Sequence, residues 1–450
     1  MTIRMQFTSR VGFLLAAAGS AVGLGNIWAF PTQVAQNGGG AFLLAYLFLV
    51  FALGYPVLVA ELLIGRYGQA NSPTALRRVA QTAGKKGMMA WLVGIVGTIG
   101  ISLILSFYAI VAGWLLGYLL VPFSTLLGYP ALTAWLTEAS KSRDSLLMCL
   151  FMILTAGVIA KGVTQGIERW SGRLMPFLFL FLVVMCGYIL QQPGALHGLK
   201  VYLIPNYSRV LNAKLLISAL GQSFFSLSIG VCAMMTYGSY LSHSENVPKV
   251  AAQIVLFDTT VAFLAGLLII PAMFVAQQRG MAIYDSQQQL LAETALVFQL
   301  LPALFEQYGL LGLGLSVLFF GLMSIAALTS SMPMLEVPVV YLTETRGINR
   351  RLATFGLMMI ITLVSLLIIQ HFECLFDGVV ILTTQYIQPL GGLACSLLVG
   401  WCWRRASLLQ ELQSGFPQAE KSLFWAIWPH YLRFVCPLLI LLIFLAQYFS

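Results

Sequence analysis

Apolar residues along this chain gather into long stretches separated by short polar segments. The stretches cover 11–31, 41–63, 88–122, 146–163, 172–190, 213–240, 252–276, 310–342, 353–370, 378–403 and 424–449. Each is near or above the roughly 20 residues with which an α-helix crosses a hydrocarbon layer of about 30 Å. The pattern predicts an all-α, polytopic membrane protein with eleven crossings, of which 146–163 and 353–370 are the shortest.

Two crossings are interrupted. The first carries Gly19, Ser20, Ala21, Val22, Gly23, Leu24, Gly25 and Asn26 in series. A glycine costs about 1 kcal/mol against alanine inside a helix, so three in seven residues loosen the backbone ladder. Freed carbonyls and N–H groups are tolerated at mid-membrane only inside a bundle or beside an aqueous cavity, where cations and carboxylates satisfy them. The second interruption, Ser226-Leu227-Ser228-Ile229-Gly230, falls within 212–240, five crossings later. Five is odd, so a five-span repeat returns inverted, and broken helices at equivalent places in two halves point to a transporter site. Close helix packing through Gly and Ser is the competing reading of either break alone. The expected halves are 11–190 and 213–403, with 424–449 as an added crossing, in one membrane domain covering 1–450.

Composition agrees: 59% of the 450 residues are hydrophobic and 9% charged, with a mean hydropathy of +0.89. Soluble domains carry about 25% charged residues. The formal charge of +9 raises the question of nucleic acid, but the cations follow alternate loops. With the N-terminus in the cytoplasm, only Lys141, Arg143, Lys200, Arg209, Lys214 and Arg279 fall outside, and the other Lys and Arg residues fall inside. Such asymmetry favours an N-in topology and, after eleven crossings, a C-terminus outside the cytoplasm. A signal peptide is the alternative for the first stretch, but its apolar run continues through Ile27, Trp28 and Phe30 with no polar cleavage flank.

The seven cysteines and four histidines are scattered, without CxxC or HExxH spacing, so neither a zinc site nor enzymatic chemistry is expected. Polar residues inside the membrane say more. Asp258 lies in the apolar run 254–271, and Thr329, Ser330, Ser331 and Glu336 lie in 310–342. An intramembrane carboxylate normally faces a cavity or a partner, its structural alternative being a hydrogen-bonded acid.

With these features the chain resembles the neurotransmitter:sodium symporter family. The resemblance rests on SRVGFLLAAAGSAVGLGNIWAFP and QNGGGAFLLAY near the start, ELLIGRYG at Glu61–Gly68, GIERW at Gly166–Trp170, GQSFFSLSIGVCAMMTYGSY at Gly221–Tyr240 and LTSSMPMLE at Leu328–Glu336. It implies a fold of two inverted five-helix repeats with helices 1 and 6 unwound at mid-membrane, sodium as the coupling ion and no cofactor. One sodium site would use the carbonyls of Gly19, Val22 and Ala326 with the hydroxyls of Thr329 and Ser330. The other would use the Ala21 carbonyl, Asn26, Ser226, Asp258 and the substrate's carboxylate.

By the same resemblance, a substrate carboxylate would meet the N–H groups of Leu24 and Gly25 and the Tyr108 hydroxyl, and its amine the carbonyls of Ala21, Phe225 and Ser226. Ser20, Ile104, Phe225, Ser228, Val231, Ser330 and Met334 would line the side-chain pocket, favouring a neutral hydrophobic or aromatic amino acid. Asp258 stands where several members have asparagine, which implies a built-in carboxylate in place of chloride. The inner gate would join Arg4 and Glu344 near Tyr240. At the outer gate Asp377 matches the usual acid, but Ala29 replaces the usual arginine, so either another cation, water, or Tyr108 with Phe225 closes the entrance, or the substrate differs from the usual α-amino acids. The expected function is sodium-coupled amino-acid import, the alternative being a non-transporting amino-acid sensor. Partners are the solute, sodium and lipid, with no nucleic acid; a homodimer has no support in the sequence.

Overall fold

In the computed structural model the described residues are 7–210, 212–284 and 295–446. Among them the structure is helical, apart from one isolated bridge between Gly39 and Pro205. Eight helices are long and apolar enough to cross a membrane unaided: Gly40–Gly68, Met88–Leu126, Lys141–Ile159, Val163–Leu190, Val247–Gln278, Leu310–Arg346, Arg350–Gln370 and Leu423–Leu445. They carry the second to fifth, seventh to ninth and eleventh spans. The first span is the pair Arg10–Ala21 and Gly25–Gln36, bent by 49°. The sixth is Ala213–Ser226 followed by Ala233–Gly238, and the tenth runs continuously over 372–402. Thr383, Thr384, Gln385 and Gln388 dilute the apolar character of the tenth span.

The two breaks differ in kind. At the first, the helix stops at Ala21 and resumes as a π-turn over Gly25–Ala29, with Asn26 Oδ1 accepting from the Gly23 N–H at 3.2 Å. At the sixth span the chain turns left-handed three times in five residues, at Ser228 (φ 53°), Gly230 (φ 86°) and Cys232 (φ 68°). L-residues pay for that conformation, so the surroundings must hold it. One such hold is Glu61 of the second span, whose fully buried carboxylate accepts from the Gly230 N–H at 2.7 Å. The second and sixth spans also touch backbone to backbone. A Cβ at Gly65 would overlap the Met235 carbonyl, and one at Gly238 would overlap that of Leu62.

Both broken spans sit inside the bundle. The third and eighth spans, the longest helices, pack along each other, and the first span lies against the fifth, seventh and eighth. Residues facing outward, such as Phe48, Leu352 and Leu363, are exposed apolar side chains, as a lipid-facing surface requires. Glu168 at the start of the fifth span anchors the entry to the first, accepting from the backbone N–H groups of Thr8 and Ser9 and from their hydroxyls.

Candidate functional site

The two breaks face one pocket. Its walls include Ser20, Ala21, Leu24, Gly25, Ile104, Tyr108, Phe225, Ser228, Val231, Ser330 and Met334, all expected from the sequence, Pro333 beside Met334, and Gly23, Ile101, Ala233 and Gln388, which the sequence did not assign to it. Ser226 is the exception. It turns from the pocket and donates to Asp258 Oδ2 at 2.8 Å. The Tyr108 hydroxyl accepts from the Leu24 N–H at 3.3 Å, so the third span reaches the first break. Gly25 lies close under Phe225, and a Cβ there would come 3.1 Å from that ring. The pocket holds only about 20 Å³, room for a single water.

Below the pocket, Ser330 Oγ lies 3.1 Å from the carbonyl oxygens of both Gly19 and Val22, donating toward them. Thr329 Oγ1 turns back on its own helix, to the carbonyls of Ile325 and Ala326. All five oxygens expected for one sodium site thus lie on the first and eighth spans where those spans meet.

Behind the first break Asp258 is fully buried, bonded to Asn26. Its Oδ1 accepts from Asn26 Nδ2 at 2.8 Å and its Oδ2 from Ser226, while Asn26 Nδ2 also reaches the Asp258 carbonyl at 3.0 Å. Tyr46 donates to Ser226 Oγ at 3.5 Å, and Gln222 Nε2 donates to the Gly25 carbonyl at 2.6 Å. Among the described residues no Lys, Arg or His approaches this carboxylate within ion-pair distance. A carboxylate so placed has neutral donors but no countercharge, and an uncompensated charge in a dry site is strongly disfavoured. Either a cation beside it or a proton on it relieves that cost. No cluster of three or more His, Cys, Asp or Glu side chains exists among the described residues, so a transition-metal centre is not formed there.

Leu24, Tyr108 and Phe225 also form the floor of a second, wider cavity of 510 Å³. Its walls carry Trp28, Ala29, Gln33, Phe376 and Asp377, and two of its lining residues are charged: Asp377 on the tenth span and Lys214 at the start of the sixth. Tyr108 and Phe225 thus divide a narrow pocket from an open vestibule. At the other end the path is sealed. Phe7 packs edge-on against Phe13, Tyr237 and Tyr240 at 5.3, 6.1 and 6.2 Å between ring centroids. Tyr240 donates to Glu336 Oε1 at 2.7 Å, and Arg350 ion-pairs with the same carboxylate. Glu344 accepts from the backbone and side chain of Asn71 at 2.6 and 3.1 Å. Arg4 lies outside the described residues.

Beyond the pocket wall, Glu61 and Arg350 also escaped the sequence reading of the site. Glu61 gave the same signal as Asp258, a carboxylate inside an apolar stretch, and it holds the sixth-span break. Arg350, read as a loop cation, reaches back to Glu336 and to the Ile159 carbonyl at 3.0 Å.

The model of the Sodium:neurotransmitter symporter family matches residues 4–145 and 131–450. The chain belongs to that family. It is 36% identical to the sodium-dependent transporter YhdH of Bacillus subtilis strain 168, over 98% of this chain and 97% of that protein. A sodium-dependent transporter of Haemophilus influenzae is 31% identical over 99% and 98% of the two chains. Among solved structures, MhsT in complex with L-phenylalanine superposes with a TM-score of 0.85 at 34% identity, covering 98% of this chain and 99% of MhsT. The symporter accordingly has the family's fold of two inverted five-helix repeats plus added helix, with helices 1 and 6 unwound. It is a multi-pass, sodium-dependent membrane transporter and not an enzyme.

Proposed function

We propose that this symporter imports a small neutral amino acid, hydrophobic or aromatic, by alternating access, coupled to sodium and independent of chloride. The observation that carries the reading is Asp258, a buried carboxylate without a countercharge beside the first break. In this reading Asp258, Asn26, Ser226 and the Ala21 carbonyl hold one sodium ion, and the solute carboxylate completes its shell. Sodium is a hard cation suited to such oxygen donors. The second ion takes the carbonyls of Gly19, Val22 and Ala326 and the hydroxyls of Thr329 and Ser330. Ser330 then turns its lone pair, instead of its proton, toward the shared centre. The ion clasps the first span to the eighth.

The solute carboxylate meets the backbone N–H groups of Leu24 and Gly25 with the Tyr108 hydroxyl, and the amine meets the carbonyls of Ala21, Phe225 and Ser226. Opposed helix ends suit a zwitterion, since N-termini attract the anion and C-termini the cation. Ile104, Val231 and Met334 make the rest of the pocket apolar, in keeping with the L-phenylalanine bound by MhsT. The halves 11–190 and 213–403 form the two repeats. The N-terminus lies in the cytoplasm and the C-terminus outside a bacterial inner membrane, so the vestibule opens outward and the Phe7 cluster closes the inner side. Glu344 and Tyr240 belong to that inner closure.

One sodium ion moving through ~100 mV releases roughly 2.3 kcal/mol and a tenfold gradient adds about 1.4, so two ions supply on the order of 7 kcal/mol, a ceiling of about 10⁵-fold accumulation. The test is uptake of a panel of amino acids into proteoliposomes under an imposed sodium gradient. Accumulation that requires sodium supports the reading. Sodium-dependent binding with no accumulation identifies a sensor instead. In the same assay Ser330→Ala is expected to raise the sodium concentration for half-maximal uptake on the order of tenfold, the usual worth of a lost ligand hydroxyl.

The outer gate differs from the family's arginine–aspartate pair. Lys214 faces the same vestibule as Asp377, and in this reading it supplies the closing cation that Ala29 does not. Charge reversal at either residue should slow uptake about fivefold, and the double exchange Lys214→Asp with Asp377→Lys should restore it. Initial uptake rates of the three variants decide this. An unrescued double exchange refutes the pairing.

A further inference from the structure

A cluster of cations surrounds the end of the tenth span, far from the transport site, and none of them meets a carboxylate. Arg433 of the eleventh span packs against Gly400, where an added Cβ would come 2.7 Å from the Arg433 Cα. Its guanidinium lies over the Trp401 ring, 3.9 Å from the centroid, and the Trp401 indole N–H donates to the Arg433 carbonyl at 3.0 Å. Arg433 Nε is buried without a hydrogen-bond partner. Nearby, Arg405 Nη1 and His430 Nε2 stand 3.3 Å apart, with Arg405 over the Trp425 ring at 5.3 Å. Lys85 reaches only the Cys402 sulfur, at 3.2 Å. No ion pair among the described residues involves Lys85, Arg404, Arg405 or Arg433.

The level of this cluster in the membrane follows from the packing. Arg433 is the eleventh residue of the helix Leu423–Leu445, which taken alone would place it about 15 Å along the axis. It sits beside Gly400, however, two residues before the tenth span ends at Cys402. Trp401 under Arg433 and Trp425 under Arg405 flank the cluster, as tryptophans do where hydrocarbon meets headgroups. The surface is open to lipid: Trp401 is 52% exposed and Phe434 53%. A guanidinium there needs an acceptor, and a phosphate oxygen pair matches its planar fork.

We propose that Arg433, with Arg405 and His430, forms a binding site for the phosphodiester headgroup of an anionic phospholipid, whose chains lie along the exposed apolar face of the tenth and eleventh spans. Two packing details favour a built site over a chance cation. Both spans distort at this point, into π-turns over Leu398–Cys402 and Tyr431–Val435. Gly400 also lets the two backbones approach closely enough to set the guanidinium on the indole. The stacking fixes one face and leaves the donor edge to the ligand.

The test uses the full chain in nanodiscs of phosphatidylcholine, without substrate, so that its outcome is independent of the transport reading. Phosphatidylglycerol titrated into the discs should be retained in native mass spectra and should raise the melting temperature. Inorganic phosphate added to phosphatidylcholine discs should do neither. Arg433→Gln should weaken phosphatidylglycerol retention about fivefold, the effect of one surface cation near an anionic headgroup. Should that variant fail to fold, Arg405→Gln with His430→Gln, which leaves the Trp401 stack in place, should lower retention by a similar factor. Equal retention in the wild type and the folded variants would overturn the site. Stabilisation by inorganic phosphate alone would overturn the lipid assignment.

Discussion

Replacing Asp258 with alanine is expected to lower sodium-driven uptake by at least about 100-fold, or about 2.7 kcal/mol of lost stabilisation. The carboxylate has two jobs in the geometry. It supplies the negative charge for a cation, and it satisfies Asn26 Nδ2 and Ser226 Oγ, both fully buried. Truncation removes the charge, strands the Ser226 hydroxyl at a cost of about 1–3 kcal/mol, and leaves Asn26 Nδ2 with only the Asp258 backbone carbonyl. Asp258→Asn keeps the shape but not the charge, so it should fold well and lose sodium affinity by roughly tenfold. Replacing chloride with gluconate should leave wild-type uptake unchanged, because the negative charge is covalently in place. Proteoliposome uptake at varied sodium, with and without chloride, checks all three. Sodium-dependent uptake persisting in Asp258→Ala, or wild-type uptake lost without chloride, would sink the assignment.

Gly230→Ala should be the most damaging of the small substitutions, destabilising by roughly 3–5 kcal/mol and abolishing uptake. The residue has φ 86°, where an L side chain is strained, and its added Cβ would overlap the Gln388 backbone of the tenth span. Backbone cannot rotate away as a side-chain tip can. The tenth span is equally committed from its own side, since a Cβ at Gly391 would overlap the Gly230 carbonyl. Shifting Gly230 also withdraws its N–H from Glu61, whose Oε2 already has no hydrogen-bond partner. Gly356→Ala is the control. A Cβ there meets nothing within 4 Å, and alanine is the better helix former. Thermal unfolding in detergent should separate the two variants clearly. A Gly230→Ala protein as stable as Gly356→Ala would contradict the packing.

What could be read from the sequence was what violated its own background. Glycines and serines inside apolar stretches marked both breaks, and Asp258 stood out as a charge where none is cheap. Most pocket residues came through the family resemblance, which also grouped Ser226 with Asp258, the carboxylate its hydroxyl meets. Ile101 and Gln388 line the pocket from the third and tenth spans, but spacing alone does not say which face of a wholly apolar helix turns inward. The π-turns left no compositional trace because tertiary packing imposes them. Arg350 looked like a topology marker, and only the fold brings its guanidinium to Glu336. The tenth span shows the converse problem, its threonines and glutamines making a membrane helix look less apolar than its neighbours.

The contact between the second and sixth spans carries one more consequence. Missing β-carbons at Gly65 and Gly238 let main chain lie on main chain, and Glu61 pins the left-handed turn beside them. Such a joint has no soft side-chain layer to shear, so the two helices must swing as one lever. Any rocking that exposes the pocket to alternate sides is then borne by looser seams elsewhere, and the sixth-span break is carried along as cargo of its neighbour, never as an independent hinge.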